Sequence, residues 1–295
     1  MVKKIKWKLI LNWVGFLVSI IGIAYVVRKL SSYSNQIDLS SLTYVSILCL
    51  ILLSIIYFLS NFFLALAWHS ILDFLGVKTS KKNSIQIYGI SQIGKYIPGN
   101  IFQFAGRQTL GISNGISPIP LAKSAIWEIS LLIISGLFFF ILIIPNLWTQ
   151  LSFELALFVF SIVIFISLFF SYKLFGGNIT SAVKWYVLFL LFSGLIFYFA
   201  IMITTDFKYE VNSQYIGIIG VYVIAWLAGL LTPGAPAGIG VREMVFLTIL
   251  HSTINESDLL KSIIAGRCVT IGGDVYFYLF SLFIKYSNVF SGYKN

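Results

Sequence analysis

Charge is what this sequence has least of. Charged residues make up 10% of the 295, and only ten of them are acids; a soluble domain carries about 25%. A chain that is also 59% hydrophobic, with a mean hydropathy of +0.95, is not built to expose its surface to water. No polar stretch is long enough to assemble a core of its own, so a separate soluble domain is not expected. Cysteine is nearly absent too: Cys49 and Cys268 both fall inside hydrophobic runs, which argues against a disulfide framework. The two histidines, His69 and His251, stand apart near the ends of such runs, without metal-ligand spacing, so no metal site is expected. The net charge of +10 has the right sign for nucleic acid, but the lysines occupy short loops and form no basic stripe or groove-reading motif. Nucleic-acid binding is therefore not expected, and no ATP-binding signature occurs.

What the chain does have is long apolar runs. A hydrocarbon core of about 30 Å takes roughly 20 residues of helix to cross. Full spans are expected at residues 10–27, 42–68, 121–144, 153–172, 182–203 and 260–284, the pattern of an all-α integral membrane protein with about six crossings. The first run, behind Lys3, Lys4, Lys6 and Lys8, looks like a secretory signal. It ends in Tyr25-Val26-Val27-Arg28 without a small-residue cleavage site, and reads instead as an uncleaved span. Trp7, Trp68, Trp148 and Trp185 are placed to form an interfacial aromatic belt.

Two further apolar stretches are broken by Pro-Gly. Ile97-Pro98-Gly99-Asn100 interrupts residues 84–111, and Thr232-Pro233-Gly234 interrupts residues 214–250. Each break is followed by a short arm carrying an arginine, Arg107 or Arg242. A Lys-Ser pair comes next, at 123–124 or 261–262, and then a long span holding a charge, Glu128 or Arg267. The arm from Ser84 to Ile97 would reach only about 20 Å as helix, too short to cross. The arm from Gln214 to Thr232 could just span, so loop charges decide. With two re-entrant hairpins and both termini cytoplasmic, Lys78, Lys81, Lys82, Lys123, Lys173 and Lys184 join the terminal lysines inside. Only Arg28, Lys29, Lys208 and Lys261 fall outside, the asymmetry expected of cytoplasmic loops. Residues 1–295 then form one membrane domain of two repeats, 1–144 with hairpin 84–111 and 145–295 with hairpin 214–250. Three spans per repeat invert the second copy, so the hairpins enter from opposite faces and can meet near the midplane, where such transporters bind substrate.

Six charges fall at membrane depth: Arg107, Glu128, Arg242, Glu243, Arg267 and Asp274. At about 3 kcal/mol each when facing lipid, together they rival a typical protein's stability of about 5 to 15 kcal/mol. They must pair, reach an interface or line a wet cavity. Arg267 and Asp274 are seven apart, two helical turns, and can line one pathway. Glu128 lies close enough to the cytoplasmic end of its span to snorkel. One reading makes these charges structural pairs, Glu128 with Arg107 and Glu243 with Arg267; the other groups them around a ligand. Gly99, Gly106, Gly234, Gly238 and Gly240 allow tight bends, and the amides of a broken helix suit an anion. Gly272 and Gly273 read as close helix packing.

Tyr96-Ile97-Pro98-Gly99-Asn100 with Arg107, and above all the stretch from Ala235 through Gly238-Ile239-Gly240-Val241-Arg242-Glu243, resemble the lysylphosphatidylglycerol synthase transmembrane-domain family, a group of flippase-like integral membrane proteins. The resemblance runs from the second span to the carboxyl end. It implies a bacterial or archaeal cytoplasmic membrane and a lipid transporter. The lipid would carry an anionic phosphate headgroup, as a phospholipid or a polyprenyl-phosphate-linked lipid. Arg107, Arg242 and Arg267 would hold the phosphate with Gly99, Gly238 and Gly240. Glu128, Glu243 and Asp274 would neutralise the arginines in the empty site or carry a coupling proton. In bifunctional members this domain is fused to a soluble domain that aminoacylates phosphatidylglycerol. The present chain ends at Asn295 soon after its last span, so lysyltransferase activity, catalytic residues and a cofactor are not expected. A membrane-protein partner or a homo-oligomer stays open. So do two other functions: a lipid-modifying transferase using Glu243 and Asp274 as base and orienter, and an accessory scaffold of a lipid-linked glycan pathway.

Overall fold

Hydroxyl side chains and a proline mark the starts of four of the described helices. The computed structural model describes residues 43–97, 101–147, 151–209, 213–232, 235–251 and 253–292. The expected span 10–27, Trp7, Trp148, Gly99 and Gly234 lie outside these. Thr43 accepts from the Ser46 amide at 3.2 Å and caps α1, Tyr44–Phe74. Ser80 does the same for α2, Lys81–Gln92, through Asn83. Helix α3, Phe102–Ser113, follows the first break. Pro118 opens α4, Pro118–Leu137, at a position where its missing N–H would have had no helical partner. That helix continues through a 3₁₀ segment, Phe138–Ile143, into a last turn, Ile144–Leu147. Pro145 cannot donate to the carbonyl four residues earlier, which interrupts the α ladder there. Ser152 caps α5, Phe153–Phe175, and Gly176, at φ 80°, joins it to α6, Gly177–Thr204. The remaining helices are α7, Ser213–Leu231, α8, Val241–Leu250, and α9, Glu256–Gly292.

Among the described residues every regular element is helical, and five helices are long and apolar enough to cross a membrane. They are Tyr44–Phe74, Pro118–Leu147, Phe153–Phe175, Gly177–Thr204 and Glu256–Tyr286. These coincide with five of the six expected spans, and the chain is an integral membrane protein. The elements beside the two breaks are shorter. Helices α2 and α3 have 12 residues each and α8 has 10, which is about 18 Å and 15 Å at 1.5 Å per residue, well below the bilayer core.

The bundle centres on α6, which packs against α1, α7 and α9, while α5 lies outermost and turns Phe158, Phe165 and Phe169 outward. Such exposed aromatics are what lipid contact requires. Tyr57, Trp68, Phe189 and Phe277 fill the interior. Helix α9 approaches α1 closely enough that a β-carbon at Gly273 would stand 2.8 Å from the Ser54 carbonyl oxygen. The expected packing role of this glycine thus has a definite partner, the α1 backbone.

Candidate functional site

Close packing carries the two interrupted segments to one place. Helix α2 tightens into a 3₁₀ turn, Ile93–Tyr96, just before the first break. A second 3₁₀ turn, Pro236–Gly238, follows the second break and precedes α8. Ile93, Tyr96 and Ala237 form a small buried cluster of their own, with Ile271 and Val275 of α9 packed against it. The second turn is strained: Ala237 has φ 49° and Gly238 φ +70°. Only glycine fits at 238, because a β-carbon there would stand 2.5 Å from the Cα of Gly229 in α7.

Around this contact the buried charges sort into pairs. Arg267 donates from Nε (2.9 Å) and Nη2 (2.8 Å) to one oxygen of Glu243. It also donates to the carbonyls of Ala237 (3.0 Å) and Gly238 (3.3 Å), fixing the strained turn to α9. The other Glu243 oxygen accepts from the Gly240 amide at 2.6 Å, a cap at the start of α8. Arg107 of α3 pairs with Glu128 of α4. Its guanidinium lies 3.8 Å from the Tyr88 ring centroid and 5.4 Å from that of Trp68. The Tyr88 hydroxyl completes the group by donating to Glu128 at 2.9 Å. Both pairs are those of the structural-pair reading.

Asp274 has a partner that the sequence reading passed over. Lys95, in the first 3₁₀ turn, donates to Asp274 Oδ2 at 2.7 Å, and the Tyr96 hydroxyl donates to the same oxygen at 2.5 Å. Asn61 Nδ2 of α1 donates to Oδ1 at 3.2 Å. Arg267 and Asp274 flank the middle of the span Glu256–Tyr286. At 1.5 Å per residue each lies within roughly 6 Å of the helix centre. The clue to Lys95 was its place beside Ile97-Pro98-Gly99, next to a break and within an apolar arm, where a lysine needs a carboxylate.

Arg242 is the exception. It is buried, yet among the described residues no carboxylate lies within ion-pair distance, and its Nε has no hydrogen-bond partner. Its Cζ lies 5.8 Å from the ring centroid of Trp226. Among the described residues four buried or nearly buried cations, Lys95, Arg107, Arg242 and Arg267, thus face three buried carboxylates, and each carboxylate is held by a cation other than Arg242.

Arg242 and Lys95 line two small adjacent cavities. The first, about 10 Å³, is bounded also by Tyr57, Tyr96, Arg267 and Asp274, and leaves room for about one water molecule. The second, about 20 Å³, is bounded by Tyr88, Gln92, Gln103 and Glu128. Of the expected site residues, Arg242, Arg267 and Asp274 therefore converge on one space. Arg107 borders neither cavity, although Glu128, Tyr88 and Phe104, which it contacts, line the second. The amides of Gly238 and Gly240 are engaged, the former by the Ala235 carbonyl at 2.9 Å and the latter by Glu243. In this arrangement an anion would find side-chain donors there rather than those two amides. Gly106 has only ordinary contact with Ser91.

Fold and site together define an all-helical integral membrane protein with a buried cation cluster between two interrupted segments. No protein-family model matches the chain, and no curated protein matches it in sequence.

Proposed function

We propose that this chain is a lipid transporter that moves an anionic phosphate-headgroup lipid between leaflets, with Arg242 as the principal phosphate donor. The observation that carries the reading is the Arg242 guanidinium, buried on the cavity beside the second turn with no carboxylate within ion-pair distance among the described residues. An uncompensated charge there is costly and persists only where something else complements it. A phosphate oxygen is suited to a guanidinium, which offers two parallel donors. Lys95 and Arg267 stand on the same cavity and add charge-assisted donors, while the acyl tails stay in lipid.

The architecture proposed with it is an inverted repeat of residues 1–144 and 145–295, each with a re-entrant hairpin, and with both termini in the cytoplasm. Three observations support this. The helices α2, α3 and α8 are too short to cross, and the two 3₁₀ turns beside the breaks pack against each other. Each half also ties its short arm to its long helix by one ion pair, with the signs exchanged: Arg107 to Glu128 in the first, Glu243 to Arg267 in the second. The resemblance of Ala235–Glu243 to flippase-like proteins points the same way.

Cavities of about 10 and 20 Å³ are too small for a headgroup, so the described state is closed and transport requires the two turns to part. The test is leaflet-to-leaflet movement of fluorescent phosphatidylglycerol and polyprenyl-phosphate analogues in vesicles containing wild type or Arg242→Gln. Movement by wild type that the variant lacks supports the reading and selects between the two headgroups. Equal movement by both removes Arg242 from the mechanism.

A further inference from the structure

Asp274 is surrounded by groups that suit both of its protonation states. In the described state Lys95 and Tyr96 donate to one of its oxygens and Asn61 Nδ2 to the other. Asn61 is wholly buried, and its own carbonyl oxygen, Oδ1, has no hydrogen-bond donor among the described residues. A buried acceptor without a donor is a standing deficit. Turning the Asn61 amide over would bring Oδ1 to the Asp274 oxygen that Nδ2 now faces. That exchange is favourable only if Asp274 carries a proton, since a carboxylic acid can donate where a carboxylate cannot. One side chain thus accommodates the acid and its conjugate base, with Tyr96 able to donate in either state.

The second consequence concerns Lys95. Among the described residues it is the one cation that lines both cavities and is also held by Asp274. The charged or titratable groups acting on Asp274 and its partners are Tyr57 from α1, Lys95 and Tyr96 from the first turn, Tyr222 from α7, Arg242 from α8 and Arg267 from α9. Around the first cavity, Lys95, Arg242 and Arg267 set against Glu243 and Asp274 leave one excess positive charge. A proton on Asp274 makes the excess two and frees the Lys95 ammonium to donate to an anion in the cavity.

We propose that Asp274 is a proton-binding site coupled to the anion site, so that each phosphate-headgroup lipid is bound together with a proton from water. This rests on the transport reading, and it selects Asp274 from the three buried carboxylates. Glu128 and Glu243 are instead paired with arginines, Arg107 and Arg267, which stay charged. Because linkage is reciprocal, protonation strengthens anion binding and anion binding draws in the proton.

The purified chain in detergent is titrated with dihexanoyl phosphatidylglycerol and, separately, with glycerol phosphate. Calorimetry in two buffers of different ionisation heat counts the protons taken up. The expected result for wild type is an affinity about tenfold higher near pH 6 than near pH 8, with net proton uptake on binding. A protonated-carboxyl stretch should appear in the infrared difference spectrum. Asp274→Asn should bind without pH dependence and without uptake. Tight binding of the lipid but not of glycerol phosphate identifies a lipid site; equal binding identifies a free-phosphate site with the same coupling. Lipid binding by wild type with no proton uptake and no carboxyl band overturns the inference, and needs no variant to fold. Wild-type affinity and uptake in Arg242→Gln overturn the transport-site reading alone. No binding of either probe by wild type at any pH overturns both.

Discussion

Arg267 and Glu243 form a two-point contact, Nε at 2.9 Å and Nη2 at 2.8 Å to a single carboxylate oxygen, while the same guanidinium holds the Ala237 carbonyl at 3.0 Å. One side chain of α9 therefore fixes both the start of α8 and a turn whose alanine has φ 49°. Removing one member leaves the other buried and unpaired, which costs about 3 to 5 kcal/mol. Arg267→Met and Glu243→Gln should each lower the melting temperature in detergent sharply, read by tryptophan fluorescence. Stabilities close to wild type would refute the contact.

The Arg107 and Glu128 pair calls for a different experiment, because Arg107 lies outside both cavities and against Tyr88. Each single change, Arg107→Leu or Glu128→Leu, should destabilise by about 3 to 5 kcal/mol. The double change removes both charges at once and should recover most of that loss, a strong coupling in a double-mutant cycle. Lipid movement should survive in the double variant. Additive losses, or loss of movement in a well-folded double variant, would return Arg107 to the ligand site.

Arg242 should behave oppositely in sign. Among the described residues its charge has no carboxylate partner to leave behind, so Arg242→Met removes an uncompensated buried charge rather than creating one. The melting temperature of the delipidated protein should rise, while protection by added phosphate lipid disappears. A fall like that of Arg267→Met would mean that Arg242 is structural.

Gly238 tests the close approach of the second turn to α7. Alanine there has to adopt φ +70° and set its β-carbon 2.5 Å from Gly229. Strain of that kind costs about 1 to 3 kcal/mol before the clash is added. Gly238→Ala should therefore lower stability and alter lipid movement, whereas Gly106→Ala, with only ordinary contact to Ser91, should be tolerated. Equal tolerance at both positions would contradict the packing of α7 on the turn.

Much of this architecture could be read from the chain because its signals are local. A run such as Phe153–Phe175 becomes a membrane helix by length and apolarity alone. Pro98 and Pro233 mark breaks because a proline cannot continue the backbone ladder. The same reading isolated the six buried charges, since a charge in an apolar run is anomalous wherever the run packs. Lys95 was missed because it sits one turn from a break, where it looked like part of a short arm rather than of the buried interior.

By itself, then, the sequence determined the class of protein, the approximate ends of the described spans and, Lys95 excepted, which charges would be buried among the helices. Tertiary structure alone decided who pairs with whom. Lys95 and Asp274, or Asn61 and Asp274, lie on elements far apart in the chain, and an ion pair depends on a separation of a few ångströms set by packing. Only that packing shows that three carboxylates are already held by Lys95, Arg107 and Arg267, and that Arg242 is the cation they leave over.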